Sequence, residues 1–163
     1  MAIFEQFISD AQIEEIACGF IDCTMPRSSW THSAHLAATM WLLSTRPYSE
    51  VVRDLPGLIR AYNLATGLAN TDVKGYHETI TQASIRGAFW FLINSPRRPL
   101  FELCNSIMRS PLGQPEWLLK YWSRSLLFSV EARSQWLEPD LKSLPYPSQP
   151  PGASQTALSM PNG

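Results

Sequence analysis

All three histidines of the chain fall in two short motifs, Trp30-Thr31-His32-Ser33-Ala34-His35-Leu36 and Gly75-Tyr76-His77-Glu78-Thr79. On a helix, residues three apart lie about 60° apart on one face, so the imidazoles of His32 and His35 can converge on a single ion. His77 tips a second stripe through Thr81, Ser84, Ala88 and Phe91, which faces inward with its histidine at the same end of the bundle. Three imidazoles with an open fourth position are the ligand set of a catalytic zinc site or of a three-histidine non-haem iron site. The expected metal ligands are therefore His32, His35 and His77, with Zn2+ as the cofactor and Fe2+ as the alternative. Glu78 points about 100° away from its neighbour. That suits a general acid or base acting on a metal-bound water or substrate, or a flexible fourth ligand. Trp30, Tyr76 and Asn63 are the candidate substrate contacts, and Thr31, Thr81 or Asn63 the candidate partners that fix each imidazole tautomer. Alone, an H-x-x-H pair is a weak signal, and a single histidine on an apolar face is ordinarily a hydrogen-bonded core residue. The conjunction of three, each at a helix start and one beside a carboxylate, is what points to a metal.

Helices must carry these residues. Ser9 or Asp10 caps an expected first helix through Ile13, Ile16, Ala17 and Phe20 that stops before Pro26. A second opens after Ser28-Ser29, carries Leu36, Met40 and Leu43, and ends before Pro47. Ser49 is the expected cap of a third through Val52, Leu55, Ile59 and Tyr62, with a kink or restart at Pro56 and a stop at Gly67. After the loop from Gly67 to Gly75, with Asn70, Thr71 or Asp72 as cap, a central fourth helix should run from Tyr76 to Ile93. Its Ala83, Ser84, Gly87 and Ala88 are small enough to admit a close neighbour. Further helices are expected at Pro99 to Met108, Pro115 to Tyr121 and Val130 to Trp136. Strand signals are nearly absent, so the expected fold class is all-α, a compact bundle of about five to seven helices.

Composition narrows the function classes. The 163 residues hold 13 Lys+Arg against 14 Asp+Glu, a net charge of -1, which offers no basic patch to neutralise phosphates. Nucleic acid is not an expected partner. The longest apolar run, near Gly87 to Ile93, falls well short of the roughly 20 residues that span a bilayer. No basic residue precedes Arg27, so no secretory or transit signal fits, and a cytoplasmic protein is expected. Cys18, Cys23 and Cys104 are odd in number and read as reduced thiols. Residues 1–138 form the expected helical metal-binding domain. Residues 139–163 carry six of the 13 prolines and read as an extended or disordered tail, with Leu141 to Tyr146 as a stretch that can strap onto the core.

The block from Trp30 to Leu36, the stretch Ile59-Arg60-Ala61-Tyr62-Asn63 with Asn70-Thr71, and the block from Gly75 to Thr79 together resemble a family of small helical proteins of bacteria and fungi. The resemblance covers about residues 28–140. Within that group the chain is similar to the cyclopenases of fungal quinolone alkaloid pathways, small zinc proteins that resemble a fragment of the haemocyanin core. This resemblance implies a zinc-dependent lyase or hydrolase of secondary metabolism whose substrate is a small aromatic amide. Cyclopenases convert a cyclopenin-type benzodiazepinedione to a viridicatin-type quinolone with loss of methyl isocyanate. Carried onto this chain, it makes His32, His35 and His77 the zinc ligands and Glu78 an acid/base or additional ligand. A paired copper centre needs a second set of three histidines, which this chain lacks. Two rival readings stay open: a non-haem Fe(II) oxygenase on a small aromatic substrate, and a metal-free helical interaction module. A homo-oligomer also stays open.

Overall fold

Side-chain acceptors set where most of the helices begin. Ser9 accepts from the Gln12 amide and opens α1, Asp10–Ile21, and Thr31 accepts from the Ala34 amide and opens α2, His32–Thr45. Ser123 and Ser129 do the same for two short helices, Arg124–Leu127 and Val130–Ser134. In chain order the computed structural model, which describes residues 5–148, contains α1, α2, α3 (Tyr48–Ala65), α4 (Glu78–Ile93), α5 (Leu100–Arg109), α6 (Arg124–Leu127) and α7 (Val130–Ser134). Single 3-10 segments stand at Arg27–Ser29, Pro111–Gly113 and Pro115–Lys120. No strand occurs among the described residues, so the chain is an all-α bundle. None of their helices is long and apolar enough to cross a membrane.

Helix α2 is apolar on nearly every side, with Ala34, Leu36, Ala37, Ala38, Met40, Leu42 and Leu43 all buried. A helix of that pattern belongs inside, and α2 packs against α1, α3, α4 and α5. Helix α4 shares the central position, touching α2, α3, α5 and α7. Its small residues serve the close approach expected of them: a Cβ on buried Gly87 would stand 2.9 Å from the Leu112 side chain.

Four expectations about the elements need correction. Helix α3 does not restart at Pro56 but continues across it from Tyr48 to Ala65. The lost amide costs one bond to the preceding turn, while Val51, Leu55 and Tyr62 bury one face on both sides of it. Pro47, not Ser49, stands at the cap of α3. The residues from Pro115 form a 3-10 segment rather than an α-helix. Finally, the cap of α4 is His77 itself, not Asn70, Thr71 or Asp72. The three cysteines are free thiols, and burial pushes that of Cys104 up to about 12, which suits a small buried hydrophobe.

From Asp140 to Tyr146 the chain stays on the core. Leu141 donates its amide to the Tyr121 carbonyl at 2.9 Å, Asp140 accepts from the Ser123 amide at 2.6 Å, and Tyr146 packs edge-on to Trp117. The strap expected over Leu141 to Tyr146 is therefore present, and the rest of the expected tail, beyond residue 148, lies outside the described residues. Gly87→Val should cost about 1–3 kcal/mol, because the added branch must displace Leu112 from a packed face. Urea denaturation should show a lower midpoint with an unchanged slope.

Candidate ligand cavity and the three histidines

A cavity of about 450 Å³ opens between α2, α3, α4 and the segment from Pro115 to Phe128. Helix α2 contributes His32, His35, Leu36 and Thr39 to its wall, and α3 contributes Leu55 and Ile59. Facing them, α4 contributes Ile80, Thr81 and Ser84. Trp117, Leu118, Leu127 and Phe128 close the remaining side, with Glu116 and Arg124 as the two charged residues of the lining. The volume falls in the range of small-molecule sites, and the pattern of apolar walls with a few polar groups is theirs too.

The i, i+3 pair does converge on this space. His35 lines this cavity and is at the same time exposed to solvent. Burial, then the neighbouring His32 and Arg27, push its imidazole down to about 3. That direction favours the neutral ring, and neither ring nitrogen has a hydrogen-bond partner among the described residues. Trp30 lies against its back, ring centroids 4.0 Å apart, and is itself stacked on Phe20. Trp30 thus fixes the plane of His35 from behind instead of lining the cavity. His32 is partly spent: its Nε2 donates to the Leu112 carbonyl at 3.3 Å. Burial lowers its pKa, while the Leu112 bond and Glu116 act the other way.

His77 stands apart. Its backbone is extended (φ -137, ψ 110), so it lies off the helix whose stripe it was expected to tip. Nδ1 accepts from the Ile80 amide at 3.2 Å and Nε2 donates to the Leu127 carbonyl at 2.7 Å, which occupies both ring nitrogens. Its pKa is lowered by burial first and by Arg133, against the raising effects of the Leu127 bond and Glu78. Among the described residues no three His, Cys, Asp or Glu side chains stand where they could share an ion. A zinc or iron ion held by His32, His35 and His77 therefore does not fit this arrangement, because the third donor has neither a free lone pair nor a view of the cavity.

The remaining sequence-predicted residues shape the loop before α4. Glu78 accepts from the Tyr76 hydroxyl and from Gln82, and Arg60 lies over the Tyr76 ring at 4.1 Å. Burial and the Glu78 contact raise the Tyr76 phenol well above its usual range. Asn63 accepts from Arg27 at 2.9 Å and donates to Asn70 at 3.0 Å, and Asn70 also holds the Tyr76 amide and the Arg60 carbonyl. Gly75 closes this loop at φ 83, where a Cβ would stand 2.5 Å from the Ala69 carbonyl oxygen. Glu78, Tyr76 and Asn63 are thus engaged outside the cavity lining. Thr31 is the α2 cap. Sequence reasoning missed the wall formed by Trp117, Arg124, Leu127 and Phe128. Ser123, a serine three residues before Leu126, was the one signal for α6.

Compared with family models, with curated proteins and with solved structures, the chain finds no match.

The depressed value of His35 has a stability consequence. The unfolded chain takes up the proton near pH 6.5 and the folded one only near 3, so stability rises with pH across this window. The neutral ring costs nothing above about pH 6.5, and stability is lost as the pH falls toward 3. Urea titrations at about pH 7.5 and about pH 4.5 should therefore show a smaller acid loss in His35→Gln, which has no proton to gain, than in the wild type. An equal loss in both would mean that His35 titrates normally.

Proposed function

We propose that the chain is an enzyme, a lyase or hydrolase, that takes a small flat substrate bearing an aromatic ring and an amide into the cavity between α2 and α4. The observation that carries this reading is His35, an imidazole with unspent nitrogens at the wall of an open, largely apolar cavity. Perturbed titratable groups facing such a cavity mark candidate sites. With its conjugate acid near 3, His35 is a weak base at neutral pH. Its role is to donate and accept hydrogen bonds at the amide, where such a contact stabilises developing charge. Thr81 and Ser84 on α4 face it across the cavity and supply further hydroxyls. The resemblance carried by the two histidine motifs makes a cyclopenin-type benzodiazepinedione the first substrate to assay.

The zinc centre implied by that resemblance, and the Fe2+ centre of the oxygenase alternative, both depend on His77 as a third ligand. No step is routed through either metal, because both nitrogens of His77 are engaged. A metal-free interaction module is the second reading, and it draws on Phe128 and Val130, which are 51% and 52% exposed.

Incubation of the purified chain with a cyclopenin-type benzodiazepinedione should release a viridicatin-type quinolone, followed by liquid chromatography. His35→Ala, verified as folded by circular dichroism, should lower turnover by about 100-fold or more. No product from the wild type, or full activity in the variant, would remove this reading and favour the interaction module. Elemental analysis of the same samples decides the metal. About one zinc per chain, lost from folded His32→Ala, His35→Ala and His77→Ala alike, would restore the three-histidine centre.

A further inference from the structure

We infer that His77 is a positioning residue that holds one wall of the cavity against α4, in place of the metal-ligand role its motif suggests. The inference rests on the proposed function only in taking the cavity as the ligand site. The tautomer follows from the partners. Because Nδ1 accepts the Ile80 amide proton, the ring proton must sit on Nε2, where it is donated to the Leu127 carbonyl. Leu127 is buried and lines the cavity, and exposed Phe128 lies beside it. Helix α6, Arg124–Leu127, is a single turn and cannot hold itself.

The segment that contains it is fastened to the start of α4 at three points. Arg133 donates to the Gly75 and Tyr76 carbonyls at 3.1 and 3.2 Å, Thr79 donates to the Gln135 carbonyl at 2.9 Å, and His77 makes the third fastening at Leu127. Of the three, only the His77 bond ends on a residue of the cavity lining. The two roles exclude each other: a metal needs a lone pair, and one ring nitrogen has given its pair to Ile80 while the other carries the proton.

The test uses the full chain. In 15N spectra of the imidazoles, wild-type His77 should show the Nε2–H tautomer, and one equivalent of Zn2+ should leave its ring signals in place. Hydrogen exchange should then separate the two bonds. His77→Asn keeps an acceptor for the Ile80 amide but is too short for Leu127, so amides across α6 and α7 should exchange about tenfold faster or more, with the first turn of α4 still protected. His77→Gln, whose amide reaches nearly as far as Nε2, should recover part of that protection, and His35→Ala should exchange as the wild type does. An Nδ1–H tautomer, a His77 ring shifted by zinc, or wild-type exchange in His77→Asn would overturn the inference. Where the Asn variant does not fold, the wild-type tautomer and its response to zinc decide alone. A cavity that turns over no substrate would remove the proposed function without touching the exchange result.

Discussion

The structure turns on a helix N-terminus that is capped by a buried histidine. At the start of α4 the Ile80 amide takes its acceptor from His77, which is buried together with Thr79 and Thr81. Serine, threonine, asparagine or aspartate ordinarily supplies it. Here an imidazole does, and a ring offers what those shorter side chains do not, a second polar atom on the far side. The same residue that caps α4 therefore also reaches α6, and helix start and cavity wall are fixed by one side chain.

From that constraint the division between the two motifs follows. His32 and His35 stand on α2, whose start is capped by Thr31 and most of whose body is buried, so their directions are those of a rigid helix. One of them is partly spent on Leu112, and the other is backed by Trp30 and left facing the cavity. Desolvation makes this economical. A protonated imidazole in that position would be disfavoured by burial, by His32 and by Arg27 together, so the ring stays neutral and keeps both a donor and an acceptor.

Much of this was legible in the sequence. Ser9, Pro99 and the apolar stripes mark the long helices, and the spacing of His32 and His35 alone places them on one face. His77 could not be read the same way, because the stripe it was assigned to assumes helical geometry and the residue is extended. Periodicity cannot reveal that a histidine has become a cap, a role whose preferred residues do not include it. The cavity wall was hidden for a different reason. The four-residue α6 is shorter than the windows in which a 3.6-residue repeat can be recognised, and the expected helix from Pro115 is a 3-10 segment with another repeat.

Those short elements also explain why two of the histidines bond to backbone carbonyls. A 3-10 turn or a single helical turn satisfies few of its own carbonyls, and a buried carbonyl must find a donor elsewhere. The carbonyls of Leu112, Leu127, Gln135 and Leu137 find theirs in His32, His77, Thr79 and Trp122. Two imidazoles are thus drawn into holding together a wall that lacks the regular bonding of a long helix. The irregular C-terminal half is what fixes His77 to the backbone, and what remains open to a ligand is the single unspent ring of His35.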